Sequence, residues 1–226
     1  RIASNIANAI ENFLVNEKIK FALKEKETLL HEIHHRVKNN MQVINSLLKL
    51  QSNNIEDKRI KEILKDSQSR VYAMSAVHET LHGSEKLSEI DLKTYLSKIT
   101  TSIFQTYSTD HRKIKLNSNI TESPISINQA YPLGLVINEL ISNAMKYAFL
   151  DDRTGEISVS MQRHDKELEL IVMDNGIGMP KGLDWKNSKS LGLKLVRTLA
   201  ENQLDGSIDM ECYNGTKFTI TFNIET

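Results

Sequence analysis

The sequence has few residues that stop a helix. It holds three prolines, Pro124, Pro132 and Pro180, and its first glycine is Gly83. Nothing before Gly83 forces a long helix to end. One cysteine, Cys212, excludes an internal disulfide framework and points to a reducing compartment. That cysteine reads as a small strand residue without a chemical role. Aromatic residues make up 6% of the chain, and Trp185 is its only tryptophan. The 29 basic and 29 acidic residues cancel, which argues against bulk attachment to nucleic acid or to a membrane surface. No apolar run approaches the ~20 residues that a membrane helix needs, and no secretory leader is visible. A cytoplasmic location is the expectation. The chain opens on Arg1 inside a helical pattern, so an upstream sensory or membrane-attached portion is also expected.

What is present is enough for a core. The chain has 226 residues with 39% hydrophobic content, room for one large domain or two small ones. Ile19, Leu23, Lys26, Leu30, Ile33, Val37, Met41, Ile44 and Leu48 step by three or four, with only Lys26 breaking a heptad-like stripe. After the polar "SNNIEDK" a second run steps through Ile60, Leu64, Ser67, Val71, Met74, His78 and Leu81. Two long helices joined by a short turn make an antiparallel hairpin, and one apolar seam is best buried by a second copy in a four-helix bundle.

Past Gly83 the texture changes. "IDLKTYLSKITTSIFQTY" (residues 90–107), "INQAYPLGLVINELISNAMKYAF" (127–149) and "SLGLKLVRTLAENQL" (190–204) have helical spacing. "KIKLNSNI" (113–120), "EISVSMQ" and "ELELIVMD" alternate as strands. Asn214-Gly215 marks a further hairpin. The expectation is an α+β protein in three parts. Residues 1–20 form a linker helix, 21–84 the dimerising hairpin, and 85–226 a sandwich of helices on one face of a sheet, with the boundary near 84–88.

Three segments of the second half carry candidate chemistry. In "NELISNAMKYA", Glu139 and Asn143 share a helix face, and Lys146 and Tyr147 extend it. Carboxylate and amide oxygens suit Mg²⁺, and an ammonium suits a phosphate. In "IVMDNGIGMP" an apolar strand ends in Asp174, followed by Gly176 and Gly178. A carboxylate at the end of a buried strand needs a partner, and an adenine amino group would serve. In "KSLGLKLV", Ser190, Leu191 and Gly192 open a helix whose backbone N–H groups can meet phosphate. Between them "MPKGLDWKNSK" is a candidate lid.

In this order the three segments resemble the N, G1 and G2 boxes of the ATP-binding fold shared by gyrase, the Hsp90 chaperones, histidine kinases and the MutL repair proteins. The resemblance covers about residues 90–224, and "NGTKFTITF" looks like its closing strands. It implies that ATP and Mg²⁺ are bound. Asn143 would coordinate Mg²⁺, Asp174 would bind adenine with Thr216 near it, and Gly176, Gly178 and Gly192 would shape pocket and lid. The lid lacks a clear phenylalanine box, and Trp185 is its nearest aromatic.

The first half holds His31, His34 and His35 within five residues. Such a cluster can be a polar helix face, a metal site or a set of nucleophiles. With Leu30 at heptad position a and Ile33 at d, His34 falls at e and His35 at f, furthest from the seam. "EIHHRVKNNMQVI" closely resembles the phosphoacceptor helix of the HWE-related histidine kinases. That resemblance implies a homodimeric kinase that phosphorylates His35, with His34 as the fallback. The phosphoryl group would then pass to an aspartate of a response-regulator receiver domain. The commonest histidine kinases place an acidic residue after the acceptor, where this chain has Arg36. Glu32 is therefore expected to orient His35, and Glu139 to serve the nucleotide site. In gyrase-like members a glutamate at the Glu139 spacing activates water, so an ATPase of the same fold is the rival. A scaffold with a silent site is the other. "IASNIANAIEN" resembles the last helix of a GAF-type sensor, so a GAF- or PAS-like input domain is expected upstream. No nucleic-acid partner is expected.

Overall fold

A computed structural model describes residues 2–81, 89–107, 114–149, 153–180, 184–188 and 190–225. Helix α1 (Ile2–Asn53) runs unbroken for 52 residues, about 78 Å at 1.5 Å per residue. It fuses the expected linker to the first arm of the hairpin. Asp57 stops the turn by capping α2 (Lys58–Leu81): its Oδ1 accepts from the backbone of Arg59 at 2.8 Å and of Ile60 at 3.4 Å. The expected boundary at 84–88 lies outside the described residues.

Within one chain, α2 covers only part of the expected heptad stripe. On α1 the half-buried positions are Leu30, His31, His34, Val37, Lys38, Met41, Asn45, Leu48 and Ser52. Ile33 and Ile44, placed in the seam by their apolarity, are 53% and 42% exposed. The physical reason is that polar pairs close the seam. His34 meets His78 with Nδ1 atoms 3.0 Å apart, and Lys38 reaches Glu79 at 3.0 Å. His34 therefore faces α2, while His35 lies on the exposed side of α1.

The second half is the expected helix-on-sheet sandwich. Its elements are β1 (Glu89–Asp91), α3 (Leu92–Tyr107), β2 (Ile114–Ile120), β3 (Pro124–Ser126), α4 (Ile127–Asn143), β4 (Gly155–His164), β5 (Glu167–Asp174), α5 (Leu191–Thr198), β6 (Ser207–Glu211) and β7 (Thr216–Asn223). The main sheet has the order β2-β4-β5-β7-β6, with β2 parallel to β4 and the other pairs antiparallel. Strand β1 pairs separately with β3. Strand periodicity sets the core: Leu168, Leu170, Val172 and Asp174 point to one buried face of β5. Val136, Ile137, Leu140 and Ile141 of α4 share the core with Ile157, Val159, Phe218 and Ile220 of the sheet.

Three local details depart from the sequence reading. Ile90 belongs to β1, because Asp91 starts α3 by accepting from the backbone of Lys93 and Thr94. The long helix of residues 127–149 stops at Asn143 and continues as a π-helical turn, Ala144–Ala148. Likewise α5 passes into a π-helical turn, Leu199–Gln203. The hairpin also packs against the second half. Ala73, Ala76 and Val77 of α2 sit in the same buried cluster as Tyr95 of α3 and Leu133 of α4.

Candidate functional site

A cavity of about 710 Å³ opens where the C-terminal end of α4, the end of β5, the start of α5 and the start of β7 converge. Glu139, Asn143, Lys146, Tyr147, Asp174, Gly178, Ser190, Leu191, Gly192 and Thr216 all line it. Sequence-distant residues singled out by their chemistry therefore meet around one space. Gly176 does not line it, but its backbone N–H donates to Asp174 at 2.9 Å. His34, His35 and Glu32 lie elsewhere, on α1. Tyr147 sits at the cavity mouth, 64% exposed.

Asp174 is delivered to the cavity floor by the period-two alternation of β5. It is 7% exposed. Its Oδ1 accepts from the backbone of Gly176 and, at 3.3 Å, of Thr216. Burial raises its pKa above the ordinary carboxylate value, and those N–H donors only partly oppose the rise. A buried carboxylate at the cavity wall, its pKa still raised despite these donors and the Thr216 hydroxyl, fits a ligand that brings a further donor. Gly215 makes this corner possible. It has φ +126°, and a Cβ there would strike the Asp174 carbonyl, so only glycine fits.

Glu139 is 3% exposed and fully engaged. Arg70 of α2 donates through Nε to Oε1 at 2.6 Å and through Nη2 to Oε2 at 3.0 Å. Asn138 adds a bond to Oε1 at 3.3 Å. The Arg70 guanidinium is pushed up in pKa chiefly by its hydrogen bond to Glu139. A Cβ at Gly192 would lie 2.7 Å from Glu139 Oε2 and 3.7 Å from Asn143 Nδ2. The glycine thus leaves room beside a carboxylate and an amide at the start of α5. Ser190 caps that helix by accepting from Leu193 at 3.3 Å. Lys146 is turned by the π-helical turn toward Asp66 of α2 and pairs with it. Tyr107 donates to the same carboxylate at 2.7 Å.

Sequence reasoning missed the contribution of α2. Arg59, Glu62, Asp66 and Arg70 line the cavity from the hairpin side. Their spacing of three and four was visible, but a charged helical stripe reads as a solvated face.

The histidines are partly a structural network. His78 is buried, bonded through Nδ1 to His34 of α1 and through Nε2 to the hydroxyl of Tyr131 on α4. Its pKa is lowered, first by burial and then by the neighbouring His34. An unfolded chain then takes up the proton first as pH falls. Stability from this bridge is complete above the ordinary value of 6.5 and is lost as pH drops from there toward the depressed value. The melting temperature is expected to fall between about pH 7.5 and about pH 5.5, and His78→Gln to flatten that fall. Equal slopes in both proteins would show that the bridge does not couple to pH. Among the described residues no group of three or more His, Cys, Asp or Glu side chains could hold a metal.

Glu32 is held by Arg36, one turn on, at 2.7 Å. On the lid, Trp185 is buried edge-on against Phe218, with ring centroids 5.6 Å apart. Residues 181–183 and 189 of that segment lie outside the described residues. Cys212 is not the buried strand residue expected. It is exposed in the turn after β6, because the left-handed pair Asn214-Gly215 bends the chain there, and its Sγ accepts from the backbone of Met179 at 3.2 Å.

Comparison with known proteins agrees with this geometry. Residues 32–107 match a family described as histidine kinase, and residues 128–226 one described as histidine kinase-, DNA gyrase B- and HSP90-like ATPase. The sensor histidine kinase PdtaS of Mycobacterium tuberculosis is 35% identical over 190 residues, which cover 84% of this chain and 38% of that protein. Blue-light-activated histidine kinase 2 of Erythrobacter litoralis is 28% identical over 182 residues, 78% of this chain and 51% of that one. The solved histidine kinase domain of a blue-light activated kinase from the same organism superposes with a TM-score of 0.66 at 26% identity, covering 86% of this chain and 90% of that domain. The chain thus spans between a third and about half of the length of these curated relatives.

Proposed function

The chain belongs to the histidine kinases, and on that premise we propose that it is the transmitter module of a two-component sensor. It binds ATP in the α4–β5–α5 cavity, phosphorylates itself on His35, and passes the phosphoryl group to an aspartate of a response-regulator receiver domain. The observation that carries this reading is the convergence of Glu139, Asn143, Lys146, Asp174 and Gly192 on one cavity in a chain whose other half presents His35 on an exposed helix face.

The residues suit their roles. Asp174, buried at the cavity wall, takes the adenine amino group. Lys146 and the start of α5 take phosphate. Glu139 brings a carboxylate and Asn143 an amide to the space beside Gly192, residue types suited to Mg²⁺. That cation would neutralise phosphate charge. His35 uses the lone pair of a neutral ring nitrogen to form an N–P bond. The Pγ–O bond breaks and its electron pair leaves with ADP. Glu32, one turn before His35 and fixed by Arg36, is the carboxylate proposed to orient the ring. Positioning and charge do most of the work in such transfers.

The rival ATPase would use Glu139 to activate water, and the fate of the γ-phosphoryl group separates it from the kinase. We further propose a homodimer through the outward stripe of Leu29, Ile33, Ile44 and Leu47 on α1, all exposed on one side of the helix. A cytoplasmic position and an upstream sensory domain complete the proposal. No helix among the described residues is long and apolar enough to cross a membrane.

The test is incubation with γ-labelled ATP and Mg²⁺. A label on protein that survives alkali and is lost in acid is the expected result. Phosphate release without labelled protein would make the chain an ATPase, and neither result would leave a scaffold.

A further inference from the structure

Both charged side chains that would handle phosphate and cation are held by the hairpin. Glu139 gives both carboxylate oxygens to Arg70, and Lys146 pairs with Asp66. A third bond, from Ser69 to Asn138, lies between them. All three partners sit on one face of α2, at spacings of three and four. This face is also part of the cavity wall. The register of the hairpin, pinned by His34 against His78, places Arg70 and Asp66 eight and twelve residues before His78. At 1.5 Å per residue that is about 12 and 18 Å along the helix. The phosphate end of the cavity therefore faces a stretch of α2 well below the level of His35.

We propose that Arg70 and Asp66 are positioning residues that clasp Glu139 and Lys146 in the nucleotide-free chain and surrender them to a nucleoside triphosphate and its divalent cation. This deepens the kinase reading and rests on it. A triphosphate attracts Lys146 away from Asp66, and a cation attracts Glu139 away from Arg70. The same exchange removes two of the three polar ties between the ATP-binding half and the lower part of α2, and so favours the movement that transfer to His35 requires. Binding in the cavity and release of the hairpin are thus one coupled equilibrium, and each lowers the cost of the other.

The coupling separates ligands by their phosphates. Adenosine uses Asp174 but neither clasped residue. The experiment measures binding of adenosine and of the β,γ-imido analogue of ATP with Mg²⁺, by calorimetry, to the full chain. Asp66→Asn keeps the shape and an acceptor for Tyr107 while removing the charge that holds Lys146. It is expected to tighten binding of the analogue by about five- to tenfold, the low end of ordinary coupling, with adenosine unchanged. In a Lys146→Gln background the gain disappears, because it acts through Lys146. Arg70→Ala tightens binding only when Mg²⁺ is present and lowers the melting temperature, and Arg70→Lys restores part of that loss.

Unchanged or weaker binding of the analogue by Asp66→Asn would overturn the clasp. So would an equal gain for adenosine, or a gain that survives Lys146→Gln. A wild-type chain that binds neither ligand would instead overturn the nucleotide reading, and the clasp with it.

Discussion

His35→Ala is expected to abolish acid-labile labelling from γ-labelled ATP, by at least about 10³-fold, since removing a nucleophile leaves no second route to the product. His34→Ala is expected to keep the label and slow its appearance by no more than about tenfold. The contrast rests on two neighbouring histidines with different surroundings. His34 faces inward, with His78 beside it and Tyr131 beyond. Truncating it removes one hydrogen bond of a bridge, a loss of about 1 kcal/mol, and leaves the acceptor's own face untouched. His35 lies on the exposed side of the same turn, where another domain can reach it. Nucleotide binding should be equal in both variants, because neither residue lines the cavity. A label that survives His35→Ala and vanishes in His34→Ala would make His34 the acceptor, and would mean that the two arms of the hairpin part during the reaction.

How this site was legible in the sequence depends on the range over which each feature is determined. The cavity residues were readable because their signals are local. Asp174 follows from the two-residue period of β5, Glu139 and Asn143 from a one-turn separation on α4, and Ser190 from its capping position. Gly215 was legible as a turn residue but not as the close neighbour of Asp174, since its constraint is the Asp174 carbonyl, 41 positions away. Which positions of the α1 stripe α2 covers was not legible at Ile33 and Ile44. The helix carries two faces that can each be covered, and apolarity alone favours the one that α2 leaves open. Polar pairing of His34 with His78 and Lys38 with Glu79 selects the other. The role of α2 in the cavity was invisible for a related reason. Arg70 and Asp66 acquire meaning only when α4 docks, and docking is written in no local period. The π-helical turn after Asn143, which aims Lys146 at Asp66, has no sequence signature beyond a helix that should have continued.

Asp174→Asn is expected to do two opposite things, and the pair is the most informative result the ATP-binding half offers. Nucleotide affinity should fall by about ten- to a hundredfold, the size of a hydrogen bond to a charged group, because an amide in place of the carboxylate presents a donor as readily as an acceptor to the adenine amino group. The melting temperature of the free protein should rise. The sign follows from the carboxylate's position. Its pKa is raised by burial, so the folded state prefers it protonated, and ionisation at neutral pH opposes folding. Stability from this group is present in full below the ordinary carboxylate value of 3.8 and is lost as pH rises through the elevated one. Asparagine removes that opposition while its side-chain oxygen can still accept from the backbone of Gly176 and Thr216. The gain should therefore shrink toward acid and hold at neutral pH, where scanning calorimetry of the two proteins can read it directly. Lower stability together with lost binding would mean that Asp174 is chiefly a brace for the turn at Gly176, and that the adenine contact lies elsewhere in the cavity. Higher stability with lost binding would identify a carboxylate kept at the expense of the fold for the sake of its ligand.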